Sequence, residues 1–454
     1  MDSGHGRGSR AGGPRETTIG QEIHALAARL FPICRSLTGK GVRQTLAIIR
    51  ERLPLDLHRI RSGDQIFDWQ VPREWLIRDA YIEDDAGRRI VDFNHSNLHV
   101  VNFSVPVRAR MRLAALRAHI HTLPDQPDCI PYRTCYHTAD WGFCMAHNAF
   151  LKMQDDHYQV VIDAEHREGW LDYGEFIHKG SSEDVFLIST HLCHPSLAND
   201  NCSGIALLSF LGAALRSRQT RFTYRLLFGP ATFGALAWLR QNEAQLTRVK
   251  HGLVLSCVGD GGGPNYKRSR RGNAEIDQIM AYLLPRADLP DAKLHDFWPY
   301  GYDERQFCSP GFNLPVGSFQ RSLYGSFPEY HTSKDNLDFI KADNLEQSYH
   351  LVMQAIDLAE RNWTPVNMAP KGEPQLGRRG LYDHEDGKQA QADYAMALLW
   401  VLNLSDGTQT LLDMAARSQI DFETLDYAAQ RLRAVGLLDT ASIRDAASSC
   451  LSLT

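Results

Sequence analysis

The sequence has no Cys-x-x-Cys pair, although nine cysteines are spread along its 454 residues at 34, 129, 135, 144, 193, 202, 257, 308 and 450. An odd number without paired spacing gives no sign of a thiolate zinc ribbon or a disulfide framework, and most of the cysteines are read as buried reduced thiols. No stretch of about 18 apolar residues occurs, which excludes a helix spanning a bilayer. The first ten residues lack the apolar core of a signal peptide. The chain is expected to be cytoplasmic, with no membrane partner. An excess of one charge is also missing. Lys and Arg number 49 against 54 Asp and Glu, a net charge of −5, which excludes whole-protein affinity for nucleic acid or acidic membranes. Gly259-Asp-Gly-Gly-Gly263 lacks the Lys and the spacing of a phosphate-binding loop, so nucleotide use is not supported.

What is present is ordinary globular material, 43% apolar and 23% charged, with length enough for two or three domains. Residues 1–15 are rich in Gly and Arg and read as a disordered tail. Gln21 to Leu53 has helical periodicity, broken by Leu37-Thr-Gly-Lys-Gly41. From 62 to 180 the texture is that of strands: Trp75–Ile82 and Arg89–Phe93 around a tight turn, then Tyr158–Asp163 and Gly169–Gly174. This region is expected to be a small inserted β-rich domain. From 183 strands alternate with helices: Val185–Thr190, helix Gly204–Leu215, Phe222–Phe228, helix Ala231–Leu239 and Gly252–Cys257. That rhythm predicts an α/β domain, a mixed sheet flanked by helices, built from 16–61 and 181–365. Residues 366–380 read as a linker. The helical segments Ala390–Leu402, Thr410–Arg417 and Phe422–Leu437 have the rhythm of a winged helix-turn-helix over 381–454.

In open α/β sheets ligands bind beyond the carboxyl ends of strands, and the polar motifs fall there. His191-Leu-Cys-His194 follows a strand, and Asp200 lies just before the Gly204 helix. Nitrogen and oxygen donors so placed suit zinc. A second group is Glu329-Tyr330-His331-Thr332 with Asp335, and a third is Asp303-Glu304-Arg305 in an aromatic segment. Asp260 follows the strand that ends at Cys257. An ion pair of Arg305 with Asp303 or Glu304 accounts for that arginine better than a role at the site. Two aromatic stretches, Tyr132–Tyr136 with Trp141-Gly-Phe143 and Phe297–Tyr300, read as core, or as cleft walls if the insertion folds over the site.

Taken together, Asn199-Asp200-Asn201-Cys-Ser-Gly and Tyr330-His331-Thr332-x-x-Asp335 resemble the di-zinc aminopeptidases of the transferrin-receptor and glutaminyl-cyclase superfamily. The strings Cys193-His-Pro-Ser, Gly301-x-Asp-Glu-Arg-Gln-Phe-Cys308 and Glu329-Tyr-His-Thr-Ser333 resemble more closely a bacterial aminopeptidase-like family. That family has an inserted β domain and a terminal winged helix, and it is associated with polysaccharide or secondary-metabolite assembly. The resemblance covers roughly residues 20–450. It implies that Asp200 is the carboxylate bridging metals, that His331 is the last histidine ligand, and that the first is His191 or His194. It offers Asp260 as the later Asp ligand.

The chain departs from the pattern after Phe228. The superfamily has Glu-Glu there, a general base and a metal ligand, and the closer family has Pro-Glu-Thr. Here the sequence is Pro230-Ala231-Thr232. Ala231 stands at the base position and Thr232 where a second metal would be held, which argues for one zinc ion rather than two. A general base contributes about 10²–10⁴-fold in rate. Three readings stay open: a silent homologue, an inactivated variant, or a base supplied by Asp303 or Glu304. The implied activity is zinc-dependent hydrolysis of an amide in a small amine-bearing substrate, a peptide or an acylated sugar or metabolite. Glu329 would face the amine, and Tyr330 or Arg305 the oxyanion. The alternative is a metal-binding scaffold or a regulatory protein of a biosynthetic pathway. The stretch Asp421–Arg433 has three acids and two bases, so it is read as an interaction surface of a homo-oligomer rather than a DNA reader.

Overall fold

The computed structural model describes residues 17–382 and 388–440. The expected tail over 1–15 and the last part of 381–454 lie outside the described residues. The chain divides into two compact units, one holding residues up to 271 together with 290–351, the other 272–289 and everything from 352.

The larger unit begins with two helices, α1 (Ile19–Leu30) and α2 (Lys40–Arg50). Thr18 and Gln21 form a reciprocal cap on α1, satisfying backbone N–H groups that have no partner within the helix. The break between the helices runs from Phe31 to Gly39, longer than Leu37–Gly41. Strand β1 (Asp56–Arg61) leads to β2 (Glu74–Glu83), β3 (Arg89–Asp92), β4 (Val107–Arg112) and β5 (His157–Arg167). Strand β6 (Trp170–His178) precedes β7 (Val185–His191), helix α3 (Gly204–Arg216), β8 (Thr223–Gly229), helix α4 (Phe233–Asn242) and β9 (Val249–Leu255). Strands β10 (Asn265–Lys267), β11 (Lys293–His295) and β12 (Val316–Gln320) complete the set.

The main sheet is a mixed α/β sheet of eight strands, in the order β1-β6-β8-β7-β9-β12-β10-β11. β7 lies at its centre, parallel to both β8 and β9, and all seven of its residues are buried. This is why its sequence is a continuous apolar run rather than an alternation. The start of α3 is seated against the ends of β7 and β9. A side chain at Gly204 would come within 2.6 Å of Thr190 Oγ1 and 2.7 Å of the Leu255 carbonyl, so only glycine allows that approach.

The insertion is a separate four-stranded sheet, β3-β2-β5-β4, with its own core of Trp75, Val100, Phe143, Val160 and neighbours. Its boundary differs from the 62–180 expected from texture. The stretch at Gly169–Gly174 belongs to β6, which pairs antiparallel with β1 and β8 in the main sheet. Local sequence marks a strand, but the choice of sheet is made by pairing.

The smaller unit contains helices Glu275–Leu283, Lys388–Leu404, Leu411–Ser418 and Phe422–Ala434. Strand Pro365–Asn367 pairs antiparallel with Leu438–Thr440, so the start of the expected linker is part of this unit's small sheet. Thr410 and Asp413 cap the middle helix reciprocally. Among the described residues no helix is long and apolar enough to cross a membrane.

Candidate metal centre

β7 ends on His191, and three residues later the chain presents His194. A tight turn then leads to Asp200, whose φ of −100° and ψ of 70° lie outside the helical range. That turn is held from outside by Asp335, a fully buried carboxyl that accepts the backbone N–H of Asn199 at 2.6 Å and of Asp200 at 2.9 Å. Burial pushes the Asp335 carboxyl up to about 8, against the pull of those two N–H groups.

The Asp200 carboxylate is fully buried among three imidazoles. Its Oδ2 lies 2.9 Å from His331 Nε2 and its Oδ1 3.0 Å from His191 Nε2. The donor atoms of His191, His194 and Asp200 all fall within 4.8 Å of one another. Burial alone would push the Asp200 carboxyl up, but His194, His191 and His331 together hold it well below the usual carboxylate range. The His194 ring is pushed well below its ordinary value by burial, against the pull of Asp200, so it is the neutral imidazole that can ligate. Neither ring nitrogen of His191 has a hydrogen-bond partner among the described residues, and the ring stacks on Tyr302 at 5.0 Å. A buried nitrogen close to a carboxylate oxygen, without hydrogen-bond alignment, fits a site whose donors converge on a cation.

His331 reaches the cluster from a loop residue with a φ of 55° and stacks against Tyr330 at 4.0 Å. The insertion closes over this side. The Tyr132 N–H donates to the His331 carbonyl at 2.7 Å, Pro131 and Thr332 form a bridge, and the Tyr132 and Tyr136 hydroxyls meet at 2.9 Å. These two tyrosines are walls of the site. Trp141 and Phe143 instead pack into the insertion's core.

Asp260 stands apart from this group. Its Oδ1 accepts from Ser322 Oγ at 2.6 Å and from the Gly262 N–H at 2.7 Å, and its Oδ2 from Asn199 at 2.7 Å. With both oxygens engaged it braces the Asn199 turn instead of joining the cluster. What the end of β9 brings beside Asp200 is Ser256, whose Oγ donates to Oδ1 at 3.4 Å, followed by Cys257, in contact with the Tyr302 hydroxyl at 3.1 Å.

Ala231 and Thr232, at the end of β8, line a cavity of about 230 Å³ together with His194, Tyr302, Arg305 and Tyr330. Of the two acids weighed for the missing base, Glu304 is occupied. It forms a fully buried ion pair with Lys267 at 2.5 Å, and Lys267 also donates to the Tyr300 carbonyl at 2.8 Å. Asp303 is equally buried, and its Oδ1 has no hydrogen-bond partner among the described residues. Burial pushes its carboxyl up to about 7; His191 pulls it down, the Glu304 charge raises it, and Arg305 again lowers it. The expected ion pair of Arg305 with Asp303 or Glu304 does not form, because Lys267 takes Glu304. Arg305 instead lies over Tyr300, 6.0 Å from the ring centroid, with Nε buried and without a partner. Burial pushes the Tyr330 and Tyr302 phenols up, so both stay protonated and able to donate. Glu329 is half-buried and does not line the cavity.

Asp335 is read from sequence with the His331 group, its spacing in that motif being the signal, whereas Tyr302 and Lys267 are not singled out. Lys267 gave none, since its partner is 37 positions away along the chain.

Residues 24–362 match the family described as "Domain of unknown function (DUF4910)", and residues 363–440 match a winged helix-turn-helix family. A Clostridium acetobutylicum protein, provisionally named a polysaccharide biosynthesis protein with an aminopeptidase-like domain, is 47% identical over 419 residues, covering 92% of this chain and 96% of that protein. A crystal structure of a protein from the same organism, provisionally named a peptidase, superposes with a TM-score of 0.86 at 46% identity over 92% of this chain and 96% of that one. A zinc aminopeptidase from Bacillus subtilis shares the fold, with a TM-score of 0.54 at 14% identity over 75% of this chain and 95% of that chain. The chain therefore belongs to the DUF4910 family, with an aminopeptidase-like fold followed by a winged helix-turn-helix.

Proposed function

We propose that the protein is a zinc-binding hydrolase of an amide bond in a small substrate, serving polysaccharide or related assembly as the name of its Clostridium relative suggests. The carrying observation is the convergence of His191, His194, His331 and Asp200 at the central strand's carboxyl end. His191, Asp200 and either His194 or His331 would hold one ion. Zinc, when bound, supplies Lewis acidity toward a carbonyl and toward water. The protein's own residues supply the rest. Asp303 holds or takes up a proton near neutral pH, the role left open by Ala231. Tyr330 and Tyr302 donate to a developing oxyanion. The aromatic walls keep bulk water out and confine the substrate to a small group.

The test is elemental analysis of purified protein, with the Ala231→Glu and Asp303→Asn variants assayed on aminoacyl and acyl amides. Bound zinc with turnover that Asp303→Asn abolishes supports Asp303 as the base. Bound zinc with turnover in Ala231→Glu alone supports a centre that has lost its base, the silent scaffold. No bound metal in any form refutes the reading.

For the C-terminal unit we propose protein interaction, as in a homo-oligomer, rather than DNA reading. Arg361 is taken by Glu423 and Asp426, and Arg431 donates to the Gly380 carbonyl at 3.2 Å. Phosphate binding requires cationic groups that are not already paired. Sedimentation of the full chain and a salt-dependent mobility shift test the two halves of this proposal.

A further inference from the structure

The cavity beside the metal centre is walled by aromatic rings, among them Trp69, Tyr136, Phe233, Tyr300, Tyr324 and Tyr330. Arg305 is the one Lys, Arg, Asp or Glu among its lining residues. Three features keep that cation available. Lys267 neutralises Glu304, the adjacent acid, in a fully buried pair. Arg305 Nε is buried with no hydrogen-bond partner among the described residues. The guanidinium lies over the Tyr300 ring, whose carbonyl is in turn held by Lys267 and by the Tyr324 hydroxyl. The planar fork of donors on an arginine matches a carboxylate in two-point fashion.

Ring faces attract an ammonium by cation–π interaction, but here Tyr324 and Tyr300 already face Lys267 and Arg305. Glu329, the acid expected to face an amine, does not line the cavity, and a lone cation in an aromatic enclosure repels a second one. We infer that this cavity selects an anionic substrate group, a carboxylate on a compact amide such as an N-acylated acid, and that the protein departs from amine recognition while keeping the aminopeptidase-like fold. A carboxylate suits the site better than a phosphate dianion, because the lining holds one fixed positive charge and no other Lys or Arg. The inference rests on the hydrolase reading for the bond that is cut, but not for the charge that is bound.

Three ligands with one skeleton test it: N-acetyl-L-leucine, N-acetyl-L-leucinamide and L-leucinamide, with charges of −1, 0 and +1. Their affinities are measured by calorimetry on the full chain and on the Arg305→Met and Arg305→Lys variants, all at the same measured metal content. A phosphate monoester with neither carboxylate nor amine, isopentyl phosphate, is the fourth ligand. The expected result in Arg305→Met is a loss of about tenfold or more for the anion, with the neutral ligand unchanged within about twofold and the cation improved. Arg305→Lys should restore part of the anion's affinity. Equal losses for all three ligands would show a structural role and overturn the inference, as would an unchanged anion, tightest binding of L-leucinamide, or no binding of any ligand. Tighter binding of isopentyl phosphate than of N-acetyl-L-leucine overturns the choice of anion. Hydrolysis of aminoacyl amides without Arg305 dependence would sink this inference and leave the hydrolase reading intact. An Arg305-dependent anion preference in a protein without turnover would do the reverse.

Discussion

Two histidines on the same sheet are wholly buried, and their surroundings differ in every respect that matters for chemistry. His251, near the start of β9, lies between Phe222 at 4.7 Å and Phe186 at 5.3 Å. Burial pushes it down to about 3, and Arg221 and Lys250 push the same way. His191, at the far end of neighbouring β7, has the Asp200 carboxylate 3.0 Å from its ring. Burial alone therefore makes a histidine neutral and inert. What makes one a candidate ligand is a buried carboxylate that the fold aims at it. That carboxylate is costly in isolation, and here Asp335 fixes its turn while three rings surround it.

The most direct test removes the carboxylate that separates the two histidines. Asp200→Asn should lower bound zinc at least about tenfold by elemental analysis, while His251→Phe leaves it unchanged. Next is the second buried charge of the site. Lys267→Met strands Glu304 without its partner and should cost about 3–5 kcal/mol in denaturant unfolding, with Lys267→Arg largely retaining stability. Equal stability of both variants would show that the pair is not what holds the Tyr300–Arg305 loop. Asp335→Ala leaves two buried N–H groups without an acceptor and should cost about 2–4 kcal/mol. Zinc affinity should fall with it, because the Asp200 turn loses its brace.

The smallest effect belongs to His251 and depends on pH. Its folded value lies below the ordinary 6.5, so the unfolded chain takes up a proton that the folded one refuses. Stability is fully present above about 6.5 and is lost as pH falls from there toward 3, amounting to about 2 kcal/mol by pH 5. His251→Phe should lose that much less between pH 8 and pH 5, followed by urea titration at each pH. An identical slope in both proteins would assign the acid sensitivity elsewhere.

Much of the architecture is legible along the chain. The apolar run Val185–Ile188 that opens β7, the alternation of strand and helix after 183, and the helical rhythm near the C-terminus each follow from local periodicity. The strand at Trp170–His178 is legible as a strand but not as a member of the main sheet, since pairing with β1 and β8 is a long-range choice. The site divides in the same way. His191, His194, Asp200 and His331 stand in recognisable strings, and the structure brings them together. Asp260 looks equivalent by its place after a strand, yet three residues beyond Cys257 the chain has turned its carboxylate to Ser322 and Asn199.

By itself the sequence determined which side chains can ligate and which segments are buried on both faces. These are properties of residue type and short-range order. Only the tertiary structure decided which charges are already spent. Lys267 against Glu304 and Asp335 against the Asp200 turn are encounters between residues remote in sequence. Whether Arg305 and Asp303 keep free valence is settled by those encounters, because a buried charge takes whichever partner the fold places within a few ångströms.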